Sequence, residues 1–288
     1  MPIQEHDIAI IGAGPVGGSL ALALAARGHK VLLVDRAALA PMEDPAFDGR
    51  AYAISAGSKP ILALAGVWDA LPYAPCPILD IDVTDGKVGR RPSALKLHFD
   101  HRAVGDEAFG WIIEARSIRV AINNRLHESA NVTLRAPAEA RVVRDADGAD
   151  IFVGDEIFRV NLVVAAEGRK SPLREQAGIR VTRLPYNQTA VAFAIAHEKP
   201  HHGVALEHFL PGGPFAVLPM TGTAEHPNLS AVVFTERDAL AQRLSAMADA
   251  PFMREVSVRL CGRLGEIAQA GRRWTYPLYA MYAHKYYA

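Results

Sequence analysis

A glycine-rich turn between an apolar strand and a helix is the feature that most constrains how this chain folds. Residues 7–11 form a short apolar run, which predicts a strand buried on both faces of a parallel sheet. Residues 15–27 predict a helix that stops at Gly28, and residues 30–34 predict a second buried strand. Together these segments predict one βαβ crossover, a unit of about thirty residues.

The turn itself, residues 12–17, reads Gly-Ala-Gly-Pro-Val-Gly and matches the pattern G-x-G-x-x-G. In that pattern Gly12 permits the tight turn, Gly14 lets the backbone approach a pyrophosphate, and Gly17 lets helix and strand pack closely. The helix, which opens at Pro15, offers free N–H groups and the positive end of its dipole to phosphates. In this context the pattern predicts a dinucleotide-binding site; a glycine-rich turn without a ligand is the alternative.

An acidic residue, Asp35, ends the second strand 18 residues after Gly17. Its carboxylate is placed to accept hydrogen bonds from a ribose. It also disfavours the extra 2′-phosphate of NADP, although the neighbouring Arg36 leaves that distinction open. Both residues are therefore predicted to lie in the cofactor site. The unit is followed by a loop at residues 41–48 and by antiparallel-type strands rather than further parallel strands, an order that favours FAD over NAD.

Composition narrows the class of protein. The 288 residues carry 31 basic and 31 acidic side chains, so no surplus of Lys and Arg is available to neutralise phosphates, and no nucleic-acid partner is expected. No window holds the about 18 uncharged apolar residues that a membrane span requires. Acidic residues near the N-terminus argue against a signal peptide, and two distant cysteines suit a reducing compartment. A cytoplasmic globular protein is expected.

The rest of the chain alternates between strand-like and helical segments. A helix is predicted to start with Ser117 as its cap and to continue to Leu126, and further helices are predicted at residues 236–248 and 252–260. Strands are predicted at residues 78–84, 95–99, 132–134, 140–143, 157–160 and 161–166, and the stretch 188–234 is β-rich. This order predicts a mixed α/β fold, in which an antiparallel β-sheet domain interrupts a Rossmann-like nucleotide-binding domain.

Several further motifs occur along the chain. They read DGRAYAIS at residues 48–55, GWIIE at 110–114, AAEGRKS at 165–171, EHF at 207–209 and GPFAVLP at 213–219. With the glycine-rich turn, they resemble the FAD-dependent aromatic hydroxylases of ubiquinone biosynthesis, the 2-octaprenyl-6-methoxyphenol hydroxylase type. These belong to a larger group that is similar to p-hydroxybenzoate hydroxylase. The resemblance covers essentially the whole chain.

The resemblance implies a flavoprotein monooxygenase that hydroxylates the aromatic ring of a polyprenylated phenol. FAD would be the bound cofactor, with NADH or NADPH and O2 as co-substrates and a hydroperoxide at flavin C4a as the oxygen donor. Because the flavin carries this chemistry, no catalytic acid or base is predicted in the protein. The resemblance also implies an FAD-binding domain of residues 1–77, 111–185 and 270–288, and a substrate domain of residues 78–110 and 186–269.

Individual residues receive roles from the same resemblance. Arg50 is expected to approach the flavin or the arriving nicotinamide, and Arg116 to contact FAD from the start of a helix. A solvated surface side chain is the alternative for each arginine. A second cofactor motif, which normally reads Asp-Gly, is Glu167-Gly168 in this chain. The longer glutamate keeps the charge but moves the carboxylate by about one bond length.

The sheet at residues 188–219 would form the wall of a substrate pocket, with Phe215 and Leu218 as candidate lining residues and core packing as the alternative. Because a polyprenyl substrate lies in the membrane, such an enzyme is expected to dock peripherally on the inner membrane, with a ubiquinone-biosynthesis complex as a further partner. The family's third cofactor motif, a Gly-Asp segment, would lie beyond Ala288. The expectation is therefore a hydroxylase that is truncated, fragmentary or divergent; the alternatives are a non-catalytic scaffold or binding member of the quinone-synthesis assembly and an NAD-linked dehydrogenase.

Residues 197–201, His-Glu-Lys-Pro-His, match the zinc-protease pattern H-E-x-x-H. That chemistry requires both histidines on one face of a helix. Pro200 removes a helical N–H and clashes with the preceding turn. The segment is therefore predicted to be a polar loop, and no metal site is expected.

Overall fold

Three β-sheets and six α-helices form the part of the chain that the computed structural model describes, residues 3–39 and 47–288. The strands are β1 (Gln4–Ile11), β2 (Val31–Val34), β3 (Ala51–Ser55), β4 (Cys76–Ile78), β5 (Asp80–Asp85), β6 (Leu97–Asp100), β7 (Gly110–Glu114), β8 (Val132–Arg135), β9 (Ala140–Arg144), β10 (Ala149–Val153), β11 (Glu156–Ala165), β12 (Val181–His197), β13 (Val204–Leu210), β14 (Gly213–Met220), β15 (Leu229–Arg237) and β16 (Ile267–Ala283). The helices are α1 (Pro15–Ala25), α2 (Lys59–Leu64), α3 (Ala115–Glu128), α4 (Pro172–Gln176), α5 (Asp238–Ser245) and α6 (Asp249–Leu260). The loop predicted at residues 41–48 lies almost entirely outside the described residues.

The first sheet has six strands in the order β8-β2-β1-β11-β10-β9. The pairs β8–β2, β2–β1 and β1–β11 are parallel, whereas β10 pairs antiparallel with both β11 and β9. In β2, the second strand from the β8 edge, Leu32 and Leu33 are completely buried, each in the core on a different face. Such a strand has no solvated side, which is why β2 is apolar throughout. This sheet, with α1 crossing between β1 and β2, confirms the Rossmann-like prediction.

The second sheet has seven strands in the order β16-β12-β15-β14-β13-β5-β6, with antiparallel neighbours except for the parallel β13–β5 pair. Helices α5 and α6 supply the core on one face, where the Phe252 ring lies 4.9 Å from Phe193 and 6.4 Å from Phe234 between ring centres. The other face packs on a small third sheet, β3-β7-β4. The antiparallel part of the predicted fold is therefore confirmed, and both faces of this sheet pack against other elements.

Some local predictions are wrong. Ser117 does not cap a helix, because α3 already begins at Ala115 and the Ser117 hydroxyl donates to the Tyr73 carbonyl oxygen at 3.2 Å. The strands predicted at residues 157–160 and 161–166 are one strand, β11, which stays paired with β1 after it leaves β10. Residues 274–283, for which the sequence pattern predicts no strand, belong to β16 because they pair with β12.

The predicted division into two domains stays a prediction. Its boundaries at 185/186 and 269/270 fall inside β12 and β16. Each of these strands is 17 residues long, and the two remain paired along nearly their whole length. They therefore run through both of the predicted domains.

A buried ion pair fixes α6 on the second sheet. Arg259 of α6 donates to Glu236 of β15 at 3.2 Å, and the two side chains are 4% and 7% exposed. The same guanidinium donates to Glu255 at 2.8 Å and lies 4.2 Å from the centre of the Phe234 ring. When one member of such a pair is removed, the other charge stays buried without compensation. The pair thus holds α6 on the face opposite the third sheet.

We predict that Arg259→Met lowers the free energy of unfolding by about 3 kcal/mol or more, because Glu236 then remains buried without its partner. The matched control, Arg254→Met, changes an exposed arginine of the same helix and should alter this free energy by less than about 0.5 kcal/mol. Urea unfolding followed by circular dichroism measures both. Equal stability of the two variants would contradict the role assigned to the pair.

Candidate functional site

The carboxyl ends of three parallel strands meet at one level of the first sheet. Ile11 ends β1 and is paired with Val34 of β2 on one side and with Ala165 of β11 on the other. The loops that follow these strands begin at Gly12, Asp35 and Ala166. In open α/β sheets, ligands bind in the crevice at this edge. The structure therefore brings the glycine-rich turn, the predicted ribose-binding carboxylate and the second predicted motif to one place.

Backbone packs directly on backbone at the glycine-rich turn. Gly12 has φ +109°, and a Cβ there would lie 2.5 Å from the carbonyl oxygen of Ala166. A Cβ at Gly17 would overlap the carbonyl oxygen of Gly12. At Gly14, by contrast, no atom would lie within 4 Å of a Cβ. Gly12 and Gly17 are thus required by the packing of the protein itself, whereas the space beside Gly14 is open to a ligand.

Helix α1 begins at Pro15, and no side chain caps it. The N–H groups of its first turn have no partner within the helix and carry the positive end of the dipole. Val16, in this turn, is 76% exposed, so the helix start is open to solvent. An uncapped, accessible helix start next to the space at Gly14 fits the pyrophosphate of a dinucleotide.

The Asp35 carboxylate ties the glycine-rich turn to the end of β2. Its Oδ2 accepts a hydrogen bond from the Ala13 N–H at 2.7 Å, and its Oδ1 accepts one from the Ala37 N–H at 2.8 Å. Each carboxylate oxygen can accept a second hydrogen bond, so ribose hydroxyl groups are compatible with these contacts. Arg36 is exposed, and its role in the cofactor site stays a prediction.

The second predicted motif packs against the start of α4. Glu167 Oε2 accepts a hydrogen bond from the Ser171 hydroxyl at 2.5 Å and another from the Leu173 N–H at 3.1 Å. Gly168 has φ +79° and opens a single 3-10 turn. The longer glutamate side chain thus reaches the neighbouring helix start, and a contact of Glu167 or Gly168 with the cofactor stays a prediction.

Arg50 is held by an acid and an aromatic ring. Its guanidinium pairs with Asp48 at 2.6 Å and lies 4.3 Å from the centre of the Trp274 ring. The Trp274 indole N–H in turn donates to the Asp48 carbonyl oxygen at 2.8 Å. Hydrogen bonding to Asp48 raises the pKa of the guanidinium, which therefore keeps its charge. Arg50 thus presents a positive charge held by Asp48 and Trp274, and its role in the cofactor site stays a prediction.

A bulge in β16 positions the segment that carries this arginine. At the bulge, three residues of β16 stand opposite one residue of β12. Within it, the Arg272 N–H donates to the Asp48 carbonyl oxygen at 3.3 Å. A Cβ at Gly271 would lie 2.9 Å from the Gly49 nitrogen, so a glycine is needed for this approach.

Arg116 is held in the same way. It donates to Glu114 at 2.6 Å, its side chain is 13% exposed, and its guanidinium lies 4.0 Å from the centre of the Tyr73 ring. It lies in the first turn of α3, as predicted. The Ala115 N–H donates to the Arg50 carbonyl oxygen at 2.9 Å, so both arginines lie at the same end of the third sheet.

The two predicted pocket residues lie on opposite faces of β14. Phe215 is completely buried in the core formed with α5 and α6. Leu218 is partly buried and belongs to the cluster between the second and third sheets. Side chains alternate along a strand, so residues three positions apart point to different faces. The structure therefore does not bring them together, and a pocket role for either one stays a prediction.

The histidines of residues 197–201 are not on a helix. His197 ends β12, and its ring lies 5.9 Å from that of His201 between centres. His197 is hydrogen-bonded to the Ser230 hydroxyl at 3.0 Å, and His201 to the Met220 carbonyl oxygen at 3.0 Å. Burial lowers the pKa of both imidazoles. Both rings are held by hydrogen bonds within the protein; residues 198–201 form the predicted loop, whereas His197 is the last residue of β12 and is buried.

Sequence reasoning missed the aromatic rings that hold the two arginines. Trp274 and Tyr73 are far from their arginines along the chain, and no local pattern links them. The acidic residue two positions before each arginine, Asp48 or Glu114, is the local signal that was available. An arginine next to such a carboxylate is more readily fixed than a solitary one.

The arrangement at this edge fits FAD. The open turn and the uncapped helix suit the pyrophosphate, and Asp35 retains acceptor positions for a ribose. Arg50 and Arg116 offer two fixed cations at the same end of the third sheet. Residues 5–244 match the protein family described as FAD binding domain, which confirms the prediction of FAD.

Curated relatives agree with the resemblance. The chain is 40% identical over 282 residues to the ubiquinone hydroxylase UbiL of Rhodospirillum rubrum, which covers 97% of this chain and 63% of that protein. It is 30% identical over 291 residues to the ubiquinone hydroxylase UbiM of Neisseria meningitidis, covering 98% of this chain and 61% of that protein. The chain thus spans about three fifths of the length of these relatives.

Among solved structures, Pseudomonas aeruginosa PqsL in complex with 2-aminobenzoylacetate matches with a TM-score of 0.77. The match covers 96% of this chain and 74% of that chain at 18% sequence identity, so it shows the fold alone. It confirms the predicted fold class. With a family match over most of its length, the chain belongs to the FAD binding domain family.

Proposed function

We propose that this chain acts as an FAD-dependent monooxygenase that hydroxylates the aromatic ring of a polyprenylated phenol in ubiquinone biosynthesis. One observation carries the proposal: an open glycine-rich turn at the edge of a parallel sheet, within a chain 40% identical to a ubiquinone hydroxylase. FAD, when bound, supplies the oxygen-transfer chemistry, with NADH or NADPH as the source of electrons and O2 as the source of oxygen.

The residues of the chain bind and orient the cofactor. The N–H groups of the α1 start and the space at Gly14 receive the pyrophosphate, and Asp35 receives a ribose. Arg50 and Arg116 stabilise anionic groups of the cofactor or of the arriving nicotinamide. Because each guanidinium is already stacked and paired, binding costs little additional side-chain entropy.

We predict that Gly14→Ala weakens FAD binding by at least about tenfold, because the new methyl group occupies the space that the pyrophosphate needs. The protein itself tolerates this change, since Gly14 has φ −65° and no atom lies within 4 Å of the added Cβ. Gly105→Ala is the matched control, because its Cβ also meets no atom within 4 Å. Quenching of flavin fluorescence measures the Kd. Equal affinity in both variants would remove the turn from the FAD site.

We predict that the chain, supplied with FAD, oxidises NADH or NADPH faster when a prenylated phenol is present. The hydroxylated product should contain one oxygen atom from isotopically labelled O2, as mass spectrometry detects. A non-catalytic member of a quinone-synthesis assembly would bind FAD or phenol without oxidising the nicotinamide. A dehydrogenase would bind NAD tightly and react without O2. Either of these results rules out the hydroxylase.

We further propose a peripheral contact with an anionic membrane surface at the outer edge of the second sheet. Leu95, just before β6, is 85% exposed, and Leu97, the first residue of β6, is 62% exposed. An adjoining groove of about 390 Å³ is lined by Asp85, Gly86, Lys87, Arg90, Arg91, Ser93 and Phe209. Its three cationic side chains have no ion pair within the described ranges. Exposed leucines beside unpaired cations suit the boundary between anionic headgroups and acyl chains.

No helix in residues 3–39 and 47–288 combines the length and the apolar character that are needed to span a bilayer.

We predict that the double variant Leu95→Ser/Leu97→Ser binds about tenfold less tightly to vesicles of phosphatidylcholine and phosphatidylglycerol, because it removes apolar surface that would otherwise leave water. Flotation of the vesicles measures the bound fraction. Val143→Ser, at a 44% exposed position on β9, is the control and should bind as the parent chain does. Added salt should weaken binding of the parent chain. Unchanged flotation of the double variant would refute this contact surface.

A further inference from the structure

We propose that Glu207 accepts the hydrogen bond of the phenolic hydroxyl group of the substrate and so positions the ring on the second sheet. This inference rests on the proposed function and adds to it a residue for substrate recognition. Glu207 lies on β13, the third strand from the β6 edge. Three features support the assignment: its place in the sheet, its lack of a partner, and the apolar character of the residues around it.

The strand pairing places Glu207 in a row that crosses the whole second sheet. From the β6 edge to β16, the paired residues are Leu97, Val83, Glu207, Ala216, Val233, Ala192 and Trp274. Every member of this row is at least partly exposed. The residues on either side of Glu207 in β13, Leu206 and His208, are buried at 9% and 2% exposure. Because side chains alternate, the row points away from α5 and α6.

Glu207 is the one carboxyl group in an otherwise apolar row. Its carboxylate has no hydrogen bond or ion pair to any other residue that the structure describes. Burial raises the pKa of this carboxyl group above its ordinary value. A half-buried acceptor without a partner carries an uncompensated desolvation cost, which a ligand donor would offset.

Asp82 on the adjacent strand shows what a satisfied carboxylate looks like in this sheet. It is 5% exposed, and it accepts hydrogen bonds from Arg263 at 2.8 Å, His98 at 2.9 Å and Lys96 at 3.3 Å. Its side chain points to the other face of β5 from the row of Glu207. The fold therefore supplies cations to one carboxylate and leaves its neighbour to an outside donor.

The row runs from the proposed ring position toward Trp274 in one direction and toward the β6 edge in the other. Toward β16 it ends at Trp274, four strands from Glu207, or about 19 Å at the usual strand spacing. Trp274 is the ring on which Arg50 stacks. Toward β6 the row ends at Val83 and the exposed Leu97, which offer an apolar exit for a prenyl tail. A phenol bound at Glu207 thus lies between the cofactor side and the apolar edge.

The experiment compares 2-geranylphenol with its O-methyl ether, which has the same shape but no hydroxyl donor. Binding to the chain is measured by isothermal titration calorimetry. We expect the parent chain to bind the phenol about tenfold more tightly than the ether, because a hydrogen bond to a charged acceptor is formed with the phenol alone. Glu207→Leu should lose this preference by weakening phenol binding while leaving ether binding unchanged. Glu207→Gln, whose amide oxygen still accepts, should retain most of the preference.

Glu139→Leu removes an exposed carboxylate outside the second sheet and should keep the full preference. The proposal is overturned if Glu207→Leu keeps the tenfold preference, or if the parent chain binds phenol and ether equally. FAD titration of the same preparations separates this result from the proposed function. A preserved phenol preference without FAD binding would contradict the flavoenzyme and leave Glu207 as the phenol acceptor. FAD binding without a phenol preference would contradict Glu207 alone.

Discussion

The direct contact between backbones at the glycine-rich turn is the constraint on which the rest of the structure depends. With no side chain at Gly12 or Gly17, α1 starts directly over the end of β1, and its first-turn N–H groups lie at the edge of the sheet. The same helix then sets the place of α3, because a Cβ at Gly18 would lie 2.5 Å from the Ile122 side chain. Since α3 begins with the turn that carries Arg116, one close contact places both the anion-binding helix start and a fixed cation.

The two faces of the second sheet differ in what covers them. One face is closed by α5 and α6 with fully buried aromatic side chains, and the buried Arg259–Glu236 pair locks this layer. Part of the other face packs on the third sheet, and the rest of it keeps a row of half-exposed, mostly small or apolar side chains. A rigid layer behind an open surface is what a binding wall requires, because the backbone under the ligand then cannot yield.

The sequence was informative where its signals are local. The turn, the start of α1 at Pro15 and the position of Asp35 beside the turn could all be predicted. Glycine conformation, helix starts and the ends of buried strands depend on neighbouring residues. The β12–β16 pairing could not, because β16 contains Pro277 and adjacent arginines and gains its strand conformation from a distant partner. For the same reason Arg50 was predictable as a site residue, but the ring that holds it was not.

Glu207 shows a second limit of the same kind. The motif that contains it was visible, yet its lack of a partner is a property of seven paired strands and not of three adjacent residues. The prediction that both Phe215 and Leu218 line a pocket had the same weakness, because sequence alone did not show that they lie on opposite faces of β14. The face on which a residue lies depends on the register of its strand, and one residue of slip would exchange the two faces.

The bulge in β16 has a consequence for how this region can change over time. Its extra residues bring Arg272 and Gly271 to the segment that precedes Arg50, and Trp274 follows directly with its ring under the guanidinium. Exchange of one aromatic ring for another at this position would alter the strength of the contact but keep its geometry. Gain or loss of a single residue in the bulge would instead turn the tryptophan to the opposite face of the sheet. The length of this short segment is therefore under a stricter constraint than most of its side chains.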